Sequence, residues 1–126
     1  DMRVNYNTIS GSRFVVDSGQ FVLGSTMEYI RCPPDLVGRV EGRSSLGRLG
    51  LFVHVTAGYV DPGFEGTITL EIYNVNPRPI ILYAGQRICQ INFSMMSAPA
   101  QNPYGSPNRG SHYQNQTIVT PSRYNG

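Results

Sequence analysis

The strict alternation of residues 67–74 constrains the fold more than any other feature of the chain. In the run TITLEIYN, the side chains of Ile68, Leu70 and Ile72 point to one face of an extended strand, and polar and aromatic side chains point to the other. The rest of the chain repeats short apolar runs bounded by turn residues, and no stretch has the long apolar period of a helix. We therefore predict an all-β domain, a β-sandwich or jelly-roll-like barrel, with at most one short helix.

The boundaries of the predicted elements follow from these runs and from the turn residues between them. Strands are predicted at 14–16, 21–24, 28–30, 51–56, 67–74, 79–83 and 86–93, with turns at 17–20, 25–26, 76–78 and 84–85. The consecutive prolines at 33–34 break the chain between two of these strands.

Residues 42–71 hold an unusual density of chemically active side chains. They include two arginines, two serines, a histidine, an aspartate and two glutamates, although charged residues are only 14% of the chain. SSLGRLG predicts a short helical turn with a serine N-cap, which would place Ser44 and Arg48 on one side. Pro62 and Gly63 predict a turn. Glu71 lies mid-strand on the face away from the aliphatic side chains, which is compatible with a solvated face or with a site.

Composition argues against several classes of function. The net charge is +2, from ten arginines and no lysine, without a basic cluster, which argues against a general nucleic-acid binder. No run approaches the ~20 apolar residues of a membrane span. Cys32 and Cys89 occur in dissimilar contexts, so we expect free thiols and a cytoplasmic location, or the host cytoplasm for a viral protein. The zinc deaminase signature is absent, so no zinc is expected.

Long ordered motifs resemble those of the dCTP deaminases, the trimeric relatives of dUTPases. They are GRSSLGRLGL (42–51), HVTAG (54–58), DPGFEG (61–66), TLE (69–71), PIILYAGQRICQINF (79–93), PYGS (103–106), YQNQ (113–116) and PSR (121–123). The resemblance implies a dUTPase-like β domain over residues 1–96, with 1–12 as a shortened N-terminal arm. It also implies a flexible flap over the nucleotide site at 97–126, and a homotrimer with active sites at subunit interfaces.

The resemblance implies a catalytic set as well. Deamination of cytosine adds water at C4 and expels ammonia, so one group must take a proton from the water and deliver protons to the base and the leaving amine. A partly buried carboxylate can do this, and Glu71 matches the family's catalytic glutamate. Ser44 would hold the water, and Arg48 would support the water or the charge that develops at C4.

Substrate-binding positions are implied in the same way. Arg43 and Ser45 match positions that hold the triphosphate, and Asp61 matches the contact to the deoxyribose 3′-hydroxyl. Backbone groups of residues 55–57 would read the cytosine edge. The set therefore includes Val55, Thr56 and Ala57, and it is completed by Thr69, Leu70, Tyr104, His112 and Gln116. His112 replaces a lysine that is frequent in the family. Mg²⁺ would arrive with the triphosphate, and no protein side chains are expected to bind it.

Four functions stay open on the sequence. The main interpretation is a deaminase that releases dUTP and ammonia from dCTP, and the alternative is a bifunctional enzyme that yields dUMP and pyrophosphate. Gly58 and Tyr59 favour the second, because bifunctional relatives tend to have glycine and an aromatic residue there. A plain dUTPase and a non-catalytic binding module are disfavoured. The expected ligands are dCTP, dUTP and dTTP, with no nucleic-acid or membrane partner.

Overall fold

The computed structural model describes residues 6–54, 58–107 and 110–123 of the 126-residue chain. Within these ranges it contains strands β1 (Arg13–Val16), β2 (Phe21–Arg31), β3 (Leu36–Gly42), β4 (Leu51–Phe52), β5 (Tyr59–Val60), β6 (Glu65–Asn74), β7 (Ile80–Tyr83) and β8 (Cys89–Met95). A single short helix, α1 (Ser44–Gly47), lies between β3 and β4. The prediction of an all-β domain with at most one short helix is confirmed.

The strands form three small antiparallel sheets around one apolar core. Their orders are β1-β7, β2-β6-β4 and β5-β3-β8. Each sheet contributes inward-facing side chains to the core, as the two-residue period of a strand requires. The buried residues are Val16, Cys32, Val40, Leu51, Val53, Val60, Phe64, Leu70, Ile72 and Leu82.

Strand β6 is the central element of the molecule. It pairs with β2 along most of its length, and with β4 at its C-terminal end, where Leu51 pairs with Asn74. Leu70 and Ile72 are buried, and the alternate residues Thr69 and Glu71 are half-buried, so the predicted alternation is confirmed from Thr69 to Ile72. It is wrong at the start of the run, where Thr67 is buried and Ile68 is half-buried. The face that carries Glu71 is therefore not a fully solvated strand face.

Asn74 ends β6 as a fully buried polar residue. Its side-chain amide donates to the carbonyl oxygens of Val16 and Arg78, at 2.9 Å each, and its Oδ1 accepts from the backbone N–H of Asn76 at 2.8 Å. A buried amide that is satisfied in this way fixes the geometry of what it joins. Asn74 therefore ties the end of β6 to β1 and to the loop that precedes β7.

The predicted turn at 25–26 is wrong, because β2 continues through it to Arg31. The pairing with β6 shifts register between Ser25 and Tyr29. Thr26 fills the gap, since its hydroxyl oxygen accepts from the backbone N–H of Ile68 at 2.9 Å. The Thr26 side chain thus replaces a missing backbone hydrogen bond between β2 and β6, so that β2 continues through a β-bulge and does not end in a turn.

The strand predicted at 51–56 is shorter in the structure. It ends at Phe52, although Leu51 and Val53 are buried and Phe52 is exposed, as the alternation predicts. After β4 the chain passes from the β2-β6-β4 sheet to the β5-β3-β8 sheet. There the N–H of Val40 in β3 donates to the carbonyl of Gly58 at 2.6 Å, and β5 pairs with β3. The last strand is displaced as well, since β8 covers Cys89–Met95 and not 86–93.

The C-terminal part of the chain is irregular but attached to β6. Gln116 forms a parallel bridge with Gly66, and the N–H of Thr67 donates to the Gln116 carbonyl at 2.8 Å. We call residues 103–105 and 113–116 the C-terminal clasp. None of the helices in the described ranges is long and apolar enough to cross a membrane.

Candidate functional site

Helix α1 begins where the chain leaves β3. Arg43 is still extended, with φ −93° and ψ 140°, and Arg48 ends the helix in a helical conformation. The predicted helical turn is confirmed, but the serine N-cap is wrong, because the capping position is Arg43 and no side chain caps the helix. Ser44 lies inside the first turn, where its carbonyl accepts from the N–H of Arg48 at 2.9 Å.

A cavity of about 660 Å³ lies beside α1. It is lined by Gly42, Arg43, Ser44, Ser45, Gly47, Leu51, Phe52, Val53, His54 and Gln90. The side chains of Arg43, Ser44 and Ser45 are exposed, and the guanidinium of Arg43 donates to the carbonyl of Arg87 at 3.1 Å. This lining combines a guanidinium, two hydroxyls and an amide, which are donors suited to anionic oxygens.

His54 adds an unsatisfied polar atom to this cavity. Its Nδ1 is buried and has no hydrogen-bond partner within the described part of the chain. The ring packs beside Gly58, where an added Cβ would lie 3.3 Å from the imidazole and 2.7 Å from the Val40 carbonyl oxygen. The absence of a side chain at Gly58 thus lets His54 and β3 approach closely.

Glu71 and its predicted neighbours lie in β6. Glu71 is half-buried and pairs with Leu23 of β2, and Thr69 pairs with Ser25. The Thr69 hydroxyl oxygen accepts from the N–H of Thr120 at 3.4 Å, so the C-terminal segment reaches this strand. Leu70 is 4% exposed and belongs to the core, which leaves its backbone as the part that a ligand could contact.

The predicted turn at Pro62 and Gly63 is confirmed. The N–H of Phe64 donates to the carbonyl of Asp61 at 3.0 Å, and Gly63 has a φ of +88°, which favours glycine. On the core side, two backbone hydrogen bonds join the turn to Cys32. The N–H of Gly63 donates to the carbonyl of Cys32, and the N–H of Cys32 donates to the carbonyl of Phe64, both at 2.8 Å. Asp61, at the start of the turn, is half-buried.

Tyr104 and Gln116 both take part in the attachment of the C-terminal clasp. The ring of Tyr104 meets Phe64 edge-on, with centroids 5.4 Å apart, and its hydroxyl accepts from the N–H of Tyr113 at 2.7 Å. Burial raises the pKa of the Tyr104 phenol above its usual value. The side-chain amide of Gln116 donates to the Thr67 carbonyl at 2.7 Å, while its buried Oε1 meets no partner among the described residues.

The structure gathers only part of the predicted set into the cavity. Arg43, Ser44 and Ser45 line it, whereas the cavity wall formed by the described residues does not include Arg48, Asp61, Thr69, Leu70, Glu71, Tyr104, His112 or Gln116. His112 is exposed, and its carbonyl accepts from the Arg123 guanidinium. The predicted positions Val55, Thr56 and Ala57 lie outside the described residues.

Sequence reasoning missed five side chains of the cavity wall, namely Leu51, Phe52, Val53, His54 and Gln90. His54 and Gln90 both occur in motifs that carry the resemblance, HVTAG and the run 79–93. Only their position in a family motif could have identified His54 and Gln90 as site residues, since nothing in their local pattern separates them from ordinary strand residues.

The donor set does not fit a metal site built by the protein. No group of three or more His, Cys, Asp or Glu side chains that could hold a metal ion occurs in the ranges 6–54, 58–107 and 110–123. The part of the cavity wall beside α1 that the structure describes carries no carboxylate. Cys32 is buried and Cys89 half-buried, both as free thiols, and burial raises the pKa of each.

Comparison with known proteins identifies the family. A sequence profile described as dCTP deaminase-like matches residues 2–96. The chain belongs to the dCTP deaminase-like family. This confirms the resemblance found in the sequence motifs, and the match ends one residue after β8.

Relatives of this dCTP deaminase-like chain are similar over most of its length. A protein of Methanobrevibacter smithii is 56% identical over 113 residues, which are 90% of this chain and 58% of that protein. One from Dictyoglomus thermophilum is 57% identical over 115 residues, or 91% of this chain and 59% of that protein. Both are named "dCTP deaminase, dUMP-forming". The chain thus spans somewhat more than half the length of these relatives.

Solved structures extend the likeness to the fold. The native dUTPase of EIAV has a TM-score of 0.61 at 24% identity, covering 76% of this chain and 78% of that one. The dUTPase of Staphylococcus bacteriophage 80alpha has a TM-score of 0.54 at 14% identity, covering 90% and 87%. The dCTP deaminase-like chain therefore has the dUTPase-like β fold that the motifs implied.

Proposed function

We propose that this chain is the nucleotide-binding core of an enzyme that converts dCTP and two waters to dUMP, pyrophosphate and ammonia. The observation that carries the proposal is the identity of 53–57%, over 82–91% of the chain, with proteins named for dUMP formation. Release of dUTP was the main expectation from the sequence, and the names of these relatives favour the alternative. Gly58 and Tyr59 support the same alternative.

Glu71 is the proposed proton shuttle. Its half-buried place in β6 supports this role, because a carboxylate there is partly shielded from water yet held by a regular strand. It takes a proton from the attacking water and passes protons to N3 and to the amine that leaves C4. Ser44 holds the water, and Arg48 stabilises the charge that develops at C4.

The cavity beside α1 is the proposed triphosphate site. Arg43 and Ser45 bind phosphate oxygens there, and the exposed guanidinium and hydroxyl donors of the wall support this assignment. Because the described residues of this wall include no carboxylate, we propose that Mg²⁺ is held by the phosphate oxygens and water, where it would neutralise part of the phosphate charge.

The base and sugar are proposed to lie toward β6. Backbone groups of residues 55–57 read the cytosine edge, and Asp61 contacts the 3′-hydroxyl, with Thr69 and the Leu70 backbone completing that wall. Tyr104, His112 and Gln116 bind from the C-terminal side. The bond from Tyr104 to Pro62 in the Asp61 turn, and those between Gln116 and Thr67 in β6, support their nearness to the sugar.

A homotrimer is proposed to complete the site. The cavity at α1 and the Glu71 strand are distinct parts of one chain, since Glu71 does not line that cavity among the described residues. If one subunit supplies the α1 cavity and a neighbour the Glu71 strand, each interface holds one full site. The dUTPase-like fold is compatible with such an assembly.

Product analysis tests the function. The protein is incubated with dCTP and Mg²⁺, and with dUTP in parallel, and products are resolved by anion-exchange chromatography over time. We expect dUMP, pyrophosphate and ammonia without accumulation of dUTP. Accumulation of dUTP would replace the proposal by a deaminase that stops there, and no turnover of either nucleotide would refute the enzymatic function of this chain.

A further inference from the structure

The side chain of Gln114 joins three backbone groups that belong to separate parts of the chain. Its Oε1 accepts from the N–H of Glu65 at 2.9 Å. Its Nε2 donates to the carbonyl of Gly63 at 3.1 Å and to that of Tyr104 at 3.5 Å. Gln114 thus connects the turn that starts at Asp61, the beginning of β6 and the C-terminal clasp.

Two glycines make room for this arrangement. A Cβ on Gly63 would lie 2.5 Å from the Pro103 side chain and 2.8 Å from the Tyr104 carbonyl oxygen. A Cβ on Gly105 would overlap the side-chain amide of Gln114. Contacts this short are possible only without a side chain, so the clasp and the turn form one closely packed unit.

The turn that carries Asp61 is therefore held from two sides. On the core side, Gly63 and Phe64 are bonded to the backbone of Cys32. On the outer side, the N–H of Tyr104 donates to the carbonyl of Pro62 at 2.7 Å, and Gln114 bonds the residues on both sides of Phe64. In the outer set, the two bonds of Gln114 depend on one side chain, whereas the bond between Tyr104 and Pro62 joins two backbone groups.

We propose that Gln114 is a positioning residue that sets the orientation of the Asp61 turn, and through it the discrimination between deoxyribose and ribose. This rests on the proposed function, in which Asp61 contacts the 3′-hydroxyl. Both sugars carry that hydroxyl, so the discrimination comes from how closely the turn residues Pro62–Phe64 approach C2′, where only ribose has a hydroxyl. Gln114 touches no reacting atom; it acts by fixing the carbonyl of Gly63 in the turn and the N–H of Glu65 at the beginning of β6. Small displacements of a group that contacts substrate are enough to reduce selectivity.

Gln114→Met tests the proposal. Methionine has a similar length but cannot form these hydrogen bonds. The bonds from Asn115 N–H to Glu65 O and from Thr67 N–H to Gln116 O remain, at 2.7 and 2.8 Å, so the clasp stays attached and the variant folds. Gln101→Met is the matched control, because Gln101 is exposed in the same C-terminal region.

Two measurements are made on the wild-type protein and both variants. The first is the ratio of kcat/KM for dCTP to that for CTP. We expect this ratio to fall about tenfold in Gln114→Met, the effect of losing about 1.4 kcal/mol from the part-buried hydrogen bonds, and to stay unchanged in Gln101→Met. A role limited to stability would lower both rates equally, so an unchanged ratio in Gln114→Met would overturn the proposal.

The second measurement is hydrogen exchange at the Glu65 amide, which separates this inference from the proposed function. Exchange is expected to be faster in Gln114→Met than in the control, and equal rates would overturn the positioning role even if dCTP is turned over. If the wild-type protein does not act on dCTP, the proposed function fails. The ratio of the dissociation constants for dCTP and CTP then replaces the kinetic ratio, with the same expected change.

Discussion

At its C-terminal end, β6 is held by buried apolar side chains and by Asn74, whereas its N-terminal end is held by polar side chains from residues 49 positions further along the chain. The first end has the character of a hydrophobic core, with Leu70 and Ile72 packed inside. The second end depends on hydrogen bonds of Gln114 and Gln116 to backbone groups.

The difference separates a more stable end of β6 from a less stable one. Apolar burial is non-directional and is lost only when the core opens. Hydrogen bonds at a partly exposed edge exchange more readily with water, so the clasp end belongs to the less stable part of the fold. Glu71, which lies between Leu70 and Ile72, belongs to the apolar end.

The largest expected effect concerns Glu71, in the apolar end of β6. Glu71→Gln keeps the shape of the side chain but cannot carry a proton, so ammonia release from dCTP should fall by about 10²–10⁴-fold while nucleotide binding persists. The measurement is ammonia release, with titration of the bound nucleotide. Glu28→Gln, an exposed change in β2, serves as control. Near-normal turnover by Glu71→Gln would remove Glu71 from the mechanism.

Asn74→Ala would break the C-terminal end. It leaves the carbonyls of Val16 and Arg78 and the N–H of Asn76 without their partner, so the free energy of unfolding should drop by about 3 kcal/mol. Urea denaturation measures this. Asn92→Ala removes an exposed amide that bonds only to Glu41 in the described structure and should cost about 0.5 kcal/mol or less. Equal losses would show that Asn74 does not anchor this end.

Gly66→Ala would break the N-terminal end instead. Gly66 has a φ of +147°, and an added Cβ would lie 2.9 Å from the Gln116 carbonyl oxygen and 3.0 Å from its nitrogen. Gly11 has a similar φ of +154° and nothing within 4 Å, so Gly11→Ala carries the backbone strain without the contact. We expect the clasp to lose about 1–2 kcal/mol in Gly66→Ala alone. Limited proteolysis of the C-terminal segment measures this, and identical cleavage of both variants would contradict it.

The smallest expected effect is a pH dependence of stability that comes from Tyr104, in the clasp at the N-terminal end of β6. Burial raises the pKa of Tyr104, so the folded state binds the phenolic proton more tightly than the unfolded chain. That contribution to stability is complete below about pH 10, the unfolded value, and is lost as the pH rises through the higher folded value. The stability difference between the wild-type protein and Tyr104→Phe should therefore be constant below about pH 10 and shrink as the pH rises above it. A constant difference would show that Tyr104 titrates as an exposed phenol.

Local patterns predicted much of the sheet and part of the site. The alternation in β6, the turn at Pro62 and Gly63, and the short helix at Ser44 were all read from neighbouring residues, and the family motifs named Arg43 and Ser45, which line the cavity. The bulge at Thr26 was not predicted, because its hydroxyl bonds to Ile68, 42 residues away.

By itself, the sequence determined the all-β class, the family and the face of β6 on which Glu71 lies, since these depend on residue types and on spacings of a few positions. Only the tertiary structure decided that the C-terminal clasp is bonded to β6, that Asn74 is buried, and that Gln114 holds the Asp61 turn. Those outcomes rest mainly on hydrogen bonds between residues that are separated by 49 to 58 positions along the chain. Asn74 also forms two short-range bonds, with Arg78 and Asn76. A polar side chain gives no local sign of which distant backbone group it will satisfy, because that choice is made when the core packs and excludes water.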